Sequence, residues 1–169
     1  MEDNSFNPEQ ISRMMNMIKM VQMLNNENKS NEDDIKTVND KNDTVVEELN
    51  ENIINREELR EYLAPIYDLE RLISKISYRS ANPRDLVAFR QSLSMLPSIK
   101  YILTTFEHSH LKQYGEELDD LKDICNLIQA AIEDEPPLAM REGGIIREGY
   151  NEEIDKLRAA KRDGKEWLS

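Results

Sequence analysis

Hydrophobic residues in the middle of the chain recur with the spacing of amphipathic helices. Residues three and four apart lie on the same face of a helix, so such a run indicates a helix with one buried side. The two clearest short runs are Leu69, Leu72, Ile73 and Ile76, then Leu86, Phe89, Leu93 and Leu96. We expect two short helices, joined by one turn, that face a common core.

Polar residues at the ends of these runs predict where the two helices begin and end. Asp68 precedes the first run and is its expected N-cap. Asn82 is the expected N-cap of the second helix, and Pro83 takes the first helical position, where a missing N–H costs nothing. Asp85 adds negative charge to the first turn, where the helix dipole favours it. Pro97 is expected to end or kink the second helix.

The longest apolar stripe lies further along the chain. It predicts one long helix over 118–132, after a break at Gly115 and before Pro136. Ile128 lies at the centre of the stripe, and we expect it to be buried against the helices over 69–76 and 86–96. Two weaker patterns predict further helices, over 45–63 and from Pro97 to about residue 107.

Both ends of the chain differ in character from this middle part. Residues 7–24 predict an amphipathic helix that contains five of the eight methionines. A face rich in methionine is typical of adaptable binding surfaces, but also of ordinary packing. Residues 25–44 are mostly Asn, Asp, Glu, Lys and Ser and predict a disordered linker.

Near 138–148, Gly143-Gly144 predicts the turn of a small β-hairpin, and a last helix is expected from Tyr150 to Trp167. The fold class is therefore all-α, with one small hairpin.

Composition excludes several classes of protein. The chain has 34 acidic and 22 basic residues and a formal net charge of −12. Autonomous binding to duplex DNA requires a basic surface, which an acidic chain of this kind does not predict. The single cysteine, Cys125, cannot form a disulfide within the chain. No apolar run is long enough for a membrane span, and the acidic N-terminus lacks a signal-peptide pattern, so we expect a cytoplasmic protein.

The sequence predicts no catalytic, cofactor-binding or metal-binding residues. Gly144 and Gly149 have the spacing of the two glycines of a phosphate loop, but Tyr150 and Asn151 follow where that loop needs Lys and Ser or Thr. His108 and His110 lie two residues apart, so on a helix they point to different faces and make a poor metal site. Adjacent carboxylates such as Glu57-Glu58, Asp119-Asp120 and Glu152-Glu153 diverge on a helix and predict solvated surface rather than a catalytic pair.

Two groups of motifs resemble one known family. The first consists of Asp-Leu-Glu-Arg-Leu at 68–72, Ala-Asn-Pro-Arg-Asp-Leu at 81–86 and Ser-Leu-x-x-Leu-Pro at 92–97. The second is the stretch 134–168, which includes Gly-Tyr-Asn and Asp-Gly-Lys-Glu-Trp-Leu. Together they resemble the core (lever) region of the MutS family of DNA mismatch-repair ATPases. The resemblance covers residues 45–169, whereas residues 1–24 and the linker 25–44 lie outside it.

The resemblance implies a function for a larger protein. Members of that family bind mismatched duplex DNA, ATP and magnesium through other domains, and assemble as homo-oligomers. The resemblance thus implies that this chain is a scaffold fragment, ending at the start of the clamp helix, without ATPase activity and with weak or no DNA binding alone. An alternative is a free-standing helical module that binds a partner protein through the methionine-rich N-terminal helix.

Overall fold

The fold is a bundle of short helices. The computed structural model describes residues 6–29, 49, 51–106, 109–138 and 140–166. Within these residues the helices are α1 (Pro8–Lys29), α2 (Ile53–Leu63), α3 (Leu69–Ser77), α4 (Pro83–Leu93), α5 (Leu96–Thr105), α6 (Ser109–Glu117), α7 (Lys122–Ala131) and α8 (Glu152–Glu166). Short 3-10 helices cover Ala64–Asp68 and Met140–Glu142. The all-α fold class is confirmed.

The turn between α3 and α4 forms as predicted. The four apolar residues of the α3 stripe are all buried. Asn82 caps α4 by accepting a hydrogen bond from the backbone N–H of Asp85, and the Asp85 carboxylate accepts one from the N–H of Asn82 in return. This reciprocal pair is a full capping box, which satisfies two N–H groups that the first helical turn leaves free. Asp68 is the N-cap residue of α3 as predicted, but its side chain makes no capping hydrogen bond and pairs with Arg71 instead.

The connection from α4 to α5 differs from expectation at Pro97. Helix α4 ends at Leu93, and Pro97 lies in the first turn of α5 rather than at the end of α4. The fixed backbone angle of proline suits the start of a helix. Phe89, Leu93 and Leu96 are buried as predicted, whereas Leu86 is only half-buried because Val87 takes the inward position beside it.

Gly115 does not break a helix but lies inside α6. A Cβ atom at this position would lie 2.9 Å from the Cβ atom of Leu103 and 3.1 Å from the backbone nitrogen of Thr104. Helices α5 and α6 therefore pack backbone to backbone at this point, which only glycine allows.

The long helix predicted over 118–132 is wrong at its N-terminal end. Helix α7 begins at Lys122, and Leu121 before it has a left-handed backbone with φ of 48°. The side chain of Asp119 accepts a hydrogen bond from the N–H of Leu121 and so supports this turn, while Leu118 and Leu121 both remain buried. Ile128 is buried as predicted, and α7 packs mainly against α4.

The N-terminal helix α1 packs on the core of the bundle. The apolar residues of its stripe, Met14, Met17, Ile18, Val21 and Leu24, are buried and join the same cluster as the rest of the core. Helix α1 contacts α2 and α3, and it runs to Lys29, five residues into the stretch predicted as a linker. Of the two interpretations of the methionine-rich face, the structure thus shows packing within the chain, and contacts between such distant segments leave no local periodic signal. The rest of the linker lies outside the described residues.

Helix α2 is less amphipathic than the pattern predicts. Leu59 and Leu63 are buried, but Ile53 and Ile54 at its start are exposed. Its acidic residues face solvent as expected. Val45 and Val46, which the prediction placed on the same helix, lie outside the described residues.

The hairpin expected over 138–148 pairs differently from the prediction. Among the described residues, one antiparallel bridge joins Ile132, directly after α7, to Ile146. The N–H of Glu133 donates to the carbonyl of Ile145, and the N–H of Arg147 donates to the carbonyl of Ala131. Gly143 and Gly144 follow the 3-10 helix Met140–Glu142 and both have positive φ, at 74° and 71°. The arm that pairs with 145–147 is thus the end of α7, not the stretch around Leu138.

Candidate functional site

The glycine turn before α8 is the place where the sequence comes closest to a nucleotide site. Gly149 has φ of 86°, and its N–H donates to the carboxylate of Asp155 at 2.9 Å. Asn151 caps α8 by accepting hydrogen bonds from the N–H groups of Glu153 and Ile154. In a phosphate loop these N–H groups would face the phosphates.

The charge at the start of α8 also opposes phosphate binding. Glu152, Glu153 and Asp155 lie in the first turn of the helix. Carboxylates there already satisfy the positive end of the helix dipole and repel a second anion. The residues present therefore do not fit ATP with its magnesium ion at this turn.

The adjacent carboxylates do not converge into a catalytic pair. Glu57 and Glu58 are both exposed, and Glu57 pairs with Arg60 at 3.1 Å. Asp120 accepts a hydrogen bond from the N–H of Lys122 at the start of α7, while Asp119 turns towards α1. Neighbouring residues that make separate contacts cannot share a proton.

Asp119 and Asp123 converge on one cation, which the sequence analysis missed. Arg13 of α1 donates to Asp119 at 2.7 and 3.1 Å and to Asp123 at 2.8 and 3.0 Å. The hydrogen bonds from Arg13 lower the pKa of both carboxyl groups, and the two carboxylates raise the pKa of Arg13. The i, i+4 spacing of the two aspartates was visible in the sequence, but a partner 106 residues away was not.

A second charged cluster lies at the capping box. Lys75 of α3 donates to both oxygens of Asp85, at 2.9 and 3.0 Å. Burial of Asp85 opposes ionisation, but the hydrogen bonds from the N–H of Asn82 and from Lys75 outweigh it, so that its pKa lies below the ordinary value. The pair joins α3 to α4 and keeps the buried carboxylate charged.

A third cluster fastens the segment between α7 and α8. Asp134 accepts from Arg90 at 2.8 Å and pairs with Arg147 at 3.1 Å, and these two contacts lower its pKa. Arg84 donates to the carbonyl of Pro136 at 3.1 Å, and Arg147 also donates to the carbonyl of Ile132 at 3.0 Å. Arg84 and Arg90 thus hold the segment against α4, while Arg147 joins the two ends of the segment to each other.

Neither a metal-binding cluster nor a membrane-spanning helix is found among the described residues. The described residues contain no group of three or more His, Cys, Asp or Glu side chains placed to hold a metal ion. His110 is half-buried on α6, and His108 lies outside the described residues. Among the helices of the described part, none is both long and apolar enough to cross a membrane.

The methionine-rich face of α1 is largely taken up by the chain itself. Met14 and Met17 are 0% and 2% exposed, and only Met15 and Met23 keep about half of their surface in solvent, at 44% and 49%. A partner protein would therefore meet the outer side of the helix rather than its main stripe. The structure thus gives little support to a free-standing module that uses this face.

These features define a packed helical domain whose charged clusters join its helices to one another. Comparison with known proteins agrees with this fold and its motifs. Residues 32–166 match the family model of MutS domain III. The chain therefore belongs to the MutS domain III family. The match begins before residue 45, where the motif resemblance starts, and after α1.

Relatives with similar sequences are bacterial mismatch-repair proteins. The chain is 61% identical over 124 residues to the DNA mismatch repair protein MutS of Lachnoclostridium phytofermentans and 49% identical over 124 residues to that of Ruminiclostridium cellulolyticum. It is 44% identical over 135 residues to that of Clostridium beijerinckii. The first two matches cover 73% of this chain and the third covers 80%. The chain spans only 13–14% of the length of these relatives.

Proposed function

We propose that this chain serves as the helical core, or lever, of a MutS-type DNA mismatch-repair protein in the cytoplasm. The observation that carries the proposal is the match to MutS domain III over residues 32–166, on a bundle whose helices are held together by apolar packing and ion pairs. In the family that the motifs resemble, other domains bind mismatched DNA, ATP and magnesium. The role that we propose for this segment is therefore mechanical, to connect those domains and transmit movement between them.

Close packing suits a mechanical role. Interiors packed like organic crystals have low compressibility, so a displacement at one end of a helix bundle reaches the other. Phe89, Leu93, Leu96, Ile99 and Leu103 are at most 1% exposed and run through α4 and α5. The clusters around Asp85 and Asp134 join the helices on either side. A lever of this kind needs rigid connections rather than a reactive group.

The proposal includes the absence of nucleotide hydrolysis by the chain alone. The purified chain is incubated with radiolabelled ATP and magnesium, and the released phosphate is compared with a blank without protein. We expect no turnover, because the N–H of Gly149 is bound to Asp155 and the start of α8 is acidic. Turnover above the blank that remains after further purification would contradict the scaffold role.

The proposal also includes weak or absent DNA binding by the chain alone. With a net charge of −12, the chain offers little counterion release on contact with phosphates. Fluorescence anisotropy with a labelled duplex that carries one mismatch, and with the same duplex fully paired, measures this directly. We expect no preference between them. A preference for the mismatched duplex would place recognition within this segment and refute the proposal.

We propose self-association for the complete protein, as the family resemblance implies, and not for this chain by itself. Sedimentation velocity of the purified chain measures whether this segment contributes to it. A monomer would agree with contacts made elsewhere, whereas a tight dimer would assign them to this domain.

A further inference from the structure

Helix α1 lies before the family match, yet it covers a face built by the matched domain. The match begins at residue 32, whereas α1 spans Pro8–Lys29. The face beneath α1 is built by α2, the 3-10 helix Ala64–Asp68, α3 and the loop that carries Asp119. All of these elements lie inside the match, whereas α1 lies before it.

The apolar part of this contact follows one stripe of α1. Its residues recur at i, i+3, i+4, i+7 and i+10, namely Met14, Met17, Ile18, Val21 and Leu24, and each is at most 6% exposed. Ile18 and Val21 face Leu63, Ile66 and Leu69 across the seam. A helix that lays one stripe into an apolar groove is a recurrent mode of peptide recognition.

The polar part of the contact requires a positive charge at the position of Arg13. Arg13 lies next to the first residue of the stripe and reaches two carboxylates, Asp119 and Asp123, with four hydrogen bonds. The loop that carries Asp119 is itself fixed, because Lys100 of α5 donates to the carbonyl of Leu118 at 2.8 Å. Paired hydrogen bonds of this kind give geometric specificity as well as energy.

Two clefts that open to solvent flank the seam between α1 and the rest of the domain. A cleft of about 50 Å³ remains between α1 and the residues Leu63, Ile66 and Leu69. A wider cleft of about 480 Å³ lies between the start of α1, at Phe6 and Ile11, and the end of α3 at Ile76. Both clefts lie at the edge of the contact, so the seam can be reached from solvent.

We propose that this face of the domain is a helix-docking groove and that α1 is its in-chain ligand. The groove takes an amphipathic helix with an apolar stripe and an arginine placed opposite Asp119 and Asp123. It follows that α1 stays bound after the chain is cut between α1 and α2, and exchanges with a free peptide of the same sequence. This inference goes beyond the scaffold function and does not depend on it.

The test uses the full chain with a protease recognition site inserted between Asn39 and Asp40. After folding and cleavage, size-exclusion chromatography shows whether the N-terminal fragment elutes with the domain. We expect co-elution, and a domain that keeps its helical circular dichroism after the fragment has been removed by dilution and repeated washing. Separation of the fragment at low salt would overturn the proposal. Unfolding of the domain on loss of the fragment would do so too, because α1 would then be part of the core.

A labelled peptide covering residues 6–29 measures specificity on the same cut protein. Arg13→Ala in the peptide should weaken binding about tenfold or more, because a charge-assisted contact is lost. Lys19→Ala removes the same charge from an exposed position of α1 and is the matched control, with no expected change. Met14→Ala and Met15→Ala form a second pair, buried and exposed respectively. Equal affinities within either pair would refute the docking geometry.

Discussion

Single residues of this chain gain their roles from partners far away in the sequence. Asn82 and Asp85 were predicted to start α4, and they do so as a capping box. That Asp85 is also bound by Lys75 could not be read from local pattern. The same holds for Arg13, whose sequence context is an ordinary helix face, but whose position in the fold places it against Asp119 and Asp123.

The contact of Arg13 predicts a specific dependence of stability on pH. The pKa of Asp119 and of Asp123 lies below the ordinary value of 3.8 in the folded chain, first because Arg13 donates hydrogen bonds to them. A group whose pKa is lowered by folding stabilises the protein above its unfolded pKa, and that stability is lost as the pH falls through the folded pKa. We therefore expect the melting temperature to fall below about pH 4, where the two carboxyl groups begin to take up protons.

Calorimetric melts of Arg13→Gln and of the parent chain between about pH 6 and pH 2.5 isolate this contribution. The variant should melt lower near neutral pH and lose less on acidification, since Asp85 and Asp134 titrate equally in both proteins. Lys19→Gln should follow the parent at every pH. Parallel curves for Arg13→Gln and the parent would show that the ion pair does not contribute to stability.

Individual helices are positioned by close contacts as much as by apolar stripes. The periodic pattern correctly predicted that α3, α4, α5 and α7 exist and which of their faces are buried. It failed at element ends, for two physical reasons. Pro97 suits a helix start as well as a helix end, and the left-handed turn at Leu121 depends on the side chain of Asp119. Glycine in a pattern indicates a break, but Gly115 serves close packing.

The packing of α5 on α6 makes Gly115 a sensitive position. In Gly115→Ala the added Cβ atom would meet the Cβ atom of Leu103 at 2.9 Å, so backbone atoms must shift. Overpacking of this kind costs about 1–3 kcal/mol, against which alanine regains about 0.5–1 kcal/mol of helix propensity. We expect net destabilisation in urea unfolding. Lys112→Ala on the exposed side of α6 is the control. A Gly115→Ala variant more stable than the parent would mean that the two helices do not meet at this point.

Helix α7 offers a matched pair of adjacent residues that tests the core. Ile128 is buried at 3% exposure, whereas Leu127 beside it is 40% exposed. Truncation of a buried isoleucine to alanine costs about 2–5 kcal/mol through lost transfer energy and the cavity left behind. The Leu127→Ala variant should lose about 0.5 kcal/mol or less, as surface substitutions do. Chemical denaturation of both variants measures the difference. Equal losses would show that α7 does not turn this face towards α4.

At the scale of the whole molecule, the sequence predicted the fold class and the family, but not the packing of the ends. Motifs such as Ala-Asn-Pro-Arg-Asp-Leu are contiguous in the chain and can be recognised from the sequence alone. The docking of α1 and the bridge between Ile132 and Ile146 join segments that are distant in sequence, and no local pattern indicates them. The ion-pair clusters were missed for the same reason.

The whole chain also carries a strong negative charge. A formal charge of −12 over 169 residues opposes a general attraction to the phosphates of a nucleic acid. Among the described arginines, Arg84, Arg90 and Arg147 are engaged with Asp134 or with backbone carbonyls. These contacts give the three arginines a structural role.

The central claim is that the matched domain can act as the core of a mismatch-repair protein. The most direct measurement is mismatch-stimulated ATP hydrolysis by a chimera. In it, the 124 matched residues of the Lachnoclostridium phytofermentans MutS are replaced by their 61% identical counterparts from this chain. We expect the chimera to hydrolyse ATP with a response to mismatched duplex like that of its parent. The same chimera with Ile128→Asp should lose this response, because an unpaired buried charge disrupts the core. A chimera that folds cooperatively and hydrolyses ATP, yet ignores the mismatch, would contradict the claim.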